Sequence, residues 1–306
     1  MNIQITIKPI LSQLNGVIVG KPQQVQDCLS CLLAGGNLLI EDVPGVGKTT
    51  LAQALAKTLG LEFARVQFTS DLMPSDLSGV SVYTRDQDGF VFHPGPIFTQ
   101  VLLADEINRA SPKTQSALLE AMEENQVTVD GQTRSLPRPF FVIATQNPHD
   151  QLGTHPLPES QLDRFLMRIS LGYPDRAAER QLLAGDDRRE KLRDLRPALN
   201  ASQLAQLQAA VPSVHASDAL LDYVQDLVQA TRSGQWFVQG LSPRAGIALL
   251  RVAQAHALLQ GRDYVAPDDV RDVIGQTIAH RLVPLASAGR TALSQVQAMV
   301  GAVPLP

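Results

Sequence analysis

No run of about 18 apolar residues occurs in this chain, so no segment is built to cross a bilayer as a helix. The first residues lack a signal-peptide layout, and a cytoplasmic location is the expectation. Aromatic residues make up only 5% of the chain, and the basic residues form no block and no aromatic-interleaved stripe. With a net charge of −4, that argues against nucleic acid as the main partner. Cysteine is limited to Cys28 and Cys31, spaced as C-x-x-C. There is no second such pair and no His pair at zinc spacing, so a structural metal site lacks ligands. A redox pair would sit at a helix start after a strand. Here both cysteines fall inside the amphipathic stretch Val25–Leu33, at i and i+3 on its apolar side, and buried structural cysteines are expected.

What is present points to two domains. A chain of 306 residues exceeds one compact domain, and a hydrophobic content of 44% supports a real core. From about residue 17 to 171, short apolar strands alternate with helices: Leu38–Glu41, Phe63–Phe68, Val101–Asp105, Phe140–Thr145 and Phe165–Ile169. This is the pattern of a mostly parallel sheet with helices on both faces. After Pro174 the period becomes helical, over Arg176–Leu183, Ser202–Ala210, Ala216–Thr231, Pro243–Gln260 and Pro267–Ala279. The expected division is therefore 1–171 for an α/β core and 172–306 for a helical domain. Two hairpins with Asp-Gly turns interrupt the core, at about 79–93, directly after helix Pro74–Ser78, and at about 126–136. Surface decoration is the plain reading, yet both break the sheet–helix alternation, which favours insertion for a purpose.

The chemistry is concentrated at one strand end. After Leu38-Leu39-Ile40 comes Glu41-Asp42-Val43-Pro44-Gly45-Val46-Gly47-Lys48-Thr49-Thr50, opening into a helix. Strand, glycine-rich turn, Gly-Lys-Thr and helix form a phosphate-binding loop, in which glycines let backbone N–H groups crowd around phosphate oxygens. Lys48 supplies charge to the β and γ phosphates, and the Thr49 hydroxyl can ligate Mg²⁺. Asp42 stands where the general motif has its first glycine. Support comes from Val101-Leu102-Leu103-Ala104-Asp105-Glu106, an apolar strand ending in two carboxylates. Asp105 can hold the Mg²⁺ shell, and Glu106 can polarise a water for attack on the γ-phosphate. Alone, such a pair reads as a solvated strand end; behind Gly-x-Gly-Lys-Thr it reads as nucleotide hydrolysis.

These residues bring the chain to a known family. It resembles the MoxR family of AAA+ ATPases, in the group with a helix-2 insert and a hairpin before sensor 1. The resemblance runs over nearly the whole chain, through Glu41–Thr49, Arg65–Thr69, Gly95–Phe98, Leu103–Ala110, Ala144–Pro148, Leu157–Phe165 and Leu241–Ala245. Asp42 is common in that family. The resemblance implies an α/β fold with a P-loop AAA+ parallel-sheet core and a smaller all-α lid, with ATP and Mg²⁺ as cofactors. It makes Asn147 sensor 1, Arg164 an arginine finger reaching the neighbouring subunit's nucleotide, and Arg244 a sensor 2 reporting from the lid to the γ-phosphate, with the nucleotide between the sheet domain, its own lid and the next subunit. Ile18, Val19 and Gly20 match the adenine-side segment. Pro44, Gly45, Val46, Gly47, Lys48, Thr49, Thr50 and Asp105 complete the nucleotide and metal set. Asn108 and Arg109 receive no chemistry and would shape the subunit interface.

The resemblance further implies a homo-oligomer, a hexameric ring, working with a von Willebrand factor A domain protein to remodel or mature a client protein complex, often by metal or cofactor insertion. Three rival readings stand beside it. A metal-chelatase motor subunit shares the insert and the partner type. A nucleotide-gated scaffold without turnover would expect damage at Glu106, Asn147 or Arg164, and all three are intact. A DNA-translocating ATPase is disfavoured by the acidic balance.

Overall fold

A computed structural model describes residues 3–86, 88–147, 153–184, 188–285 and 291–306. Gln87 of the first hairpin turn and Pro148 of the fourth-strand motif lie outside the described residues. In chain order the first half comprises helices α1 (Ile3–Val17) and α2 (Pro22–Leu33), strand β1 (Leu38–Glu41), α3 (Lys48–Thr58), β2 (Phe63–Gln67), α4 (Pro74–Ser78), β3 (Gly79–Thr84) and β4 (Gly89–Pro94). Then follow β5 (Val101–Asp105), α5 (Pro112–Glu124), β6 (Gln126–Val129), β7 (Gln132–Ser135), β8 (Phe141–Gln146), α6 (Glu159–Leu162) and β9 (Met167–Ile169). The remainder is helical: α7 (Arg176–Leu183), α8 (Arg188–Asp194), α9 (Ala201–Ala210), α10 (Asp218–Arg232), α11 (Pro243–Leu259), α12 (Pro267–Ile278) and α13 (Ala292–Ala302).

Five strands form one sheet in the order β2-β5-β8-β1-β9, and every pairing in it is parallel. Both faces are covered, as a parallel sheet requires. Leu38, Ile40, Leu103 and Ile143 face a core shared with Leu51 and Leu55 of α3, while Leu39, Leu102, Ala104 and Val142 face Leu118, Leu119 and Met122 of α5. The fold is the α/β, P-loop AAA+ arrangement that the resemblance implied, and a helical domain follows the sheet.

Several expected boundaries move, each for a local reason. The last strand starts at Met167, not Phe165, because the Phe165 carbonyl accepts from the Arg281 guanidinium at 2.9 Å and pairs with the His280 ring at 3.0 Å instead of joining the ladder. The fourth runs one residue later than expected, ending at Gln146, which pairs with Glu41. Helices α1, α8 and α13 were not expected at all. α1 carries Pro9 within it and begins with Ile3, Thr6 and Ile7 among weak helix formers, so tertiary packing overrides propensity there.

Both hairpins form. Their turns carry residues with positive φ, Asp88 in the first and Asp130 and Gly131 in the second. They also touch: the Arg134 guanidinium lies 3.9 Å from the Phe92 ring, and Phe92 meets Phe98 edge to face just before β5.

The helical domain docks through α11 on α2 and through α12 on β9. At that seam Asp27 of α2 is buried and accepts from Gln23 Nε2 at 3.1 Å and from Gln276 Nε2 of α12 at 3.4 Å. Burial pushes its carboxyl up from 3.8 to about 7, against the lowering effect of the two amides. Both cysteines are buried in the same helix, and burial pushes their thiols up, which fits the structural reading. The raised carboxyl contributes stability that is complete below about 3.8 and is lost as pH rises through about 7. Replacing Asp27 by Asn removes that loss. The stability of Asp27→Asn relative to the native chain should therefore grow between pH 5 and pH 8 by roughly 2 kcal/mol. Denaturant unfolding at the two pH values measures it, and a difference independent of pH would contradict the assignment.

Candidate functional site

Asp42 explains why the glycine-rich loop departs from the general motif. Its carboxylate is buried and accepts from the Val43 amide at 2.8 Å, the Gly172 amide at 2.6 Å and the Ser170 hydroxyl at 3.1 Å. The loop is thus moored to the chain leaving β9. Gly45 and Gly47 have φ of +84° and +97°, and a Cβ at either would meet no protein atom within 4 Å. The left-handed backbone demands glycine, and the space it leaves is open at the N-terminus of α3, which suits an anionic ligand held by backbone amides. Lys48 Nζ bridges the loop, donating to the Asp42 carbonyl at 2.7 Å and the Val43 carbonyl at 3.3 Å. Partial burial lowers its pKa, opposed by Asp42, Asp105 and Glu106. Thr49 and Thr50 lie in the first turn of α3, half-buried; Pro44 and Gly45 are exposed, with Val46 between them and the helix.

Ile18, Val19 and Gly20 are brought to the same side. The Lys21 ammonium donates to the Tyr173 carbonyl at 2.6 Å, and a Cβ on Gly20, at φ +76°, would lie 3.0 Å from Ala178. The segment from Gly172 to Ala178 therefore touches both the Ile18–Gly20 stretch and, through Asp42, the phosphate loop.

At the end of β5 the two carboxylates are held differently. Asp105 Oδ1 accepts from the Thr145 hydroxyl at 2.6 Å, and Oδ2 accepts from the Arg65 guanidinium at 2.6 Å and 3.2 Å. Glu106 occupies the left-handed region at φ +57°, unusual for a residue with a side chain and costing on the order of 1–3 kcal/mol. Its amide donates to the same Thr145 hydroxyl at 2.9 Å. Its carboxylate accepts from Gln67 Nε2 at 2.9 Å and pairs with Arg109 Nε at 2.8 Å. Asn147 follows β8 directly, on the strand that separates β5 from β1. Among the described residues there is no group of three or more His, Cys, Asp or Glu that could hold a metal by itself. One carboxylate and one hydroxyl, Asp105 and Thr49, fit instead a cation that shares phosphate and water oxygens, as Mg²⁺ does.

Arg164 and Arg244 stand apart from this group and together with each other. Arg164 pairs with one Glu123 oxygen and Arg244 with the other, each at 3.3 Å. They line a cavity of about 260 Å³ with Gly35, Gly36 and Asn37. Those residues precede β1, whereas Lys48 follows it, so the sheet lies between. Arg244, expected to report from the lid to the γ-phosphate, thus lies beside Arg164 and Glu123, with β1 between this cavity and Lys48. The cause is packing: α11 docks on α2, and its first turn meets the segment that leaves α2. Arg281, buried beneath, pairs with Asp163 at 3.0 Å and fixes the loop carrying Arg164.

Sequence reasoning gave no role to Thr145, Arg65, Gln67 or Glu123. Arg65 and Gln67 carried a usable signal, since parallel register sets Gln67 opposite Asp105 and Arg65 two residues earlier on the same face, whereas Thr145 carried none. Glu123 carried none, being one carboxylate among several on an exposed helix face.

Residues 37–167 match the ATPase family associated with various cellular activities (AAA), and residues 229–299 match the AAA lid domain. The chain is 48% identical to the uncharacterized protein YeaC of Bacillus subtilis, over 92% of this chain and 90% of that one. It is 40% identical to Chaperone MoxR1 of Mycobacterium tuberculosis, covering 91% and 76%, and 34% identical to Protein MoxR of Paracoccus denitrificans, covering 96% and 94%. A solved structure of a candidate ATPase from Cytophaga hutchinsonii superposes with a TM-score of 0.90 at 36% identity, covering 99% of this chain and 96% of that one.

The mooring role of Asp42 can be measured directly. Asp42→Gly would complete the general phosphate-loop motif, yet it leaves the Gly172 amide and Ser170 hydroxyl without their acceptor. It should lower unfolding free energy by about 2–3 kcal/mol. Unaltered stability in denaturant titration would show that the three bonds are dispensable.

Proposed function

We propose that this chain, which belongs to the MoxR family of AAA+ ATPases, hydrolyses ATP to ADP and phosphate and uses the energy for chaperone-like remodelling of a partner protein complex. One observation carries the hydrolytic reading. The Thr145 hydroxyl joins Asp105 and the Glu106 amide in one bonded group, beside a glycine-rich helix start that leaves open space for phosphate.

In this reading the amides of Gly45 to Thr49 and the Lys48 ammonium bind the phosphates. Thr49 and Asp105 would hold Mg²⁺, which when bound would supply neutralisation of phosphate charge. Glu106 orients a water and takes its proton, and Asn147 helps fix that water. Ile18, Val19 and Gly20 flank the adenine. Arg164 and, from the same cavity, Arg244 act on the nucleotide of the adjoining subunit, stabilising negative charge in the transition state. A cation supplied in trans is worth roughly 10³–10⁵ in rate for phosphoryl transfer. Hydrolysis is thereby tied to assembly, which we place in a hexameric ring.

The chain divides, on this account, at 171/172 into a nucleotide-binding core and a lid, with the two hairpins as inserts of the core. The name of the relative Chaperone MoxR1 supports the remodelling role. A von Willebrand factor A domain partner, a client complex receiving a metal or cofactor, and a cytoplasmic location complete the proposal. Among the described residues no helix is long and apolar enough to cross a membrane.

Glu106→Gln keeps the shape and the acceptor for Gln67 while removing the base. Turnover should fall by about 10²–10⁴-fold with ATP binding retained. Turnover within twofold of native would take Glu106 out of the reaction.

A further inference from the structure

The C-terminal end of α5 carries a carboxylate with a position unlike its neighbours'. Glu123 Oε2 contacts Arg164 and Oε1 contacts Arg244, so one side chain is shared between two guanidiniums from different parts of the fold. Arg164 stands on the loop between α6 and β9, and Arg244 in the first turn of α11. A third cation, Arg281, lies buried beneath them and is committed to Asp163 and to the Phe165 carbonyl. Burial lowers the Arg281 pKa, against the raising effect of Asp163, and the neighbouring Arg244 charge adds to the lowering. Two long cationic side chains facing the same cavity would otherwise diverge, since each gains solvation and rotamer freedom by moving out.

We propose that Glu123 is a positioning residue for hydrolysis, holding Arg164 and Arg244 together as one preorganised cationic pair for the triphosphate of the adjoining subunit. The inference rests on the reading that these arginines act in trans. It adds a residue to that reading and also a route. Helix α5 is 13 residues long, about 20 Å. It begins at Pro112, just past the turn that holds Glu106 and Arg109, and carries Glu123 in its last turn. One rigid element therefore joins the hydrolytic carboxylate of a subunit's own pocket to the arginines it offers its neighbour.

Four variants test this: Glu123→Ala, Glu123→Gln, Arg164→Ala and Lys48→Ala, each alone and in mixed assemblies. Glu123→Ala should lower kcat about tenfold or more while subunit association and thermal midpoint stay near native. Its own phosphate site is intact, so mixing it with Lys48→Ala, whose arginines are intact, should restore turnover. In an Arg164→Ala background, adding Glu123→Ala should cost little more. The isosteric Glu123→Gln, which drops the charge but keeps the volume, should follow the same pattern and guards against a folding artefact. An unchanged or raised kcat in Glu123→Ala overturns the proposal. So does failure of Glu123→Ala to be rescued under conditions where Arg164→Ala is rescued by Lys48→Ala, since that locates the damage in the subunit's own site. If Arg164→Ala is not rescued either, the trans reading itself falls, and the role of Glu123 falls with it.

Discussion

The hydroxyl of Thr145 is the contact on which the arrangement at the sheet's C-terminal edge turns. Strand order sets β8 between β5 and β1, so the phosphate loop, the paired carboxylates and Asn147 leave three adjacent strands. Adjacency alone would not orient them. Thr145 is fully buried; its hydroxyl donates to Asp105 and accepts from the Glu106 amide, and the chain can therefore enter the left-handed conformation at Glu106 with that amide satisfied. The strained backbone turns Glu106 away from the line of β5 and toward Gln67 and Arg109. A carboxylate held by an amide and a guanidinium is restrained in position, which suits the water-polarising role proposed for Glu106.

The opposite end of the sheet has a different character. There the charged groups come from the helical domain as well as the core, and Arg281 and His280 tie the two through the Phe165 carbonyl. Burial depresses the His280 pKa to about 3, with the neighbouring Arg281 charge acting the same way, so the ring is neutral at physiological pH. The subunit thus presents an anion-receptive loop at one end and a cationic cavity at the other. Both ends attract anions, so in the proposed head-to-tail assembly a triphosphate held by one copy's loop would be the group that the next copy's cavity meets.

Much of this was legible in the residues. β1 and β5 form with the bounds their apolar runs set, and the hairpins form where Asp-Gly turns separate alternating residues, because these signals are local. The loop and the paired carboxylates were likewise readable, since each lies in one continuous stretch. What stayed hidden depends on contacts between distant parts of the chain. Thr145 looked like one more strand residue until the register placed it beside Asp105. Glu123 matters only because α5 ends where α11 begins. The meeting of Arg244 with Glu123 was hidden too, because a motif records order along the chain and says nothing of how α11 packs on α2.

Central to the account is a reaction centre completed by a second copy of the chain. Specific ATPase activity measured across a wide dilution series tests that most directly. The account predicts that activity per subunit collapses as assemblies dissociate, in step with the sedimentation or scattering signal of the assembled form. Activity per subunit that stays constant down to the dissociated monomer would contradict it.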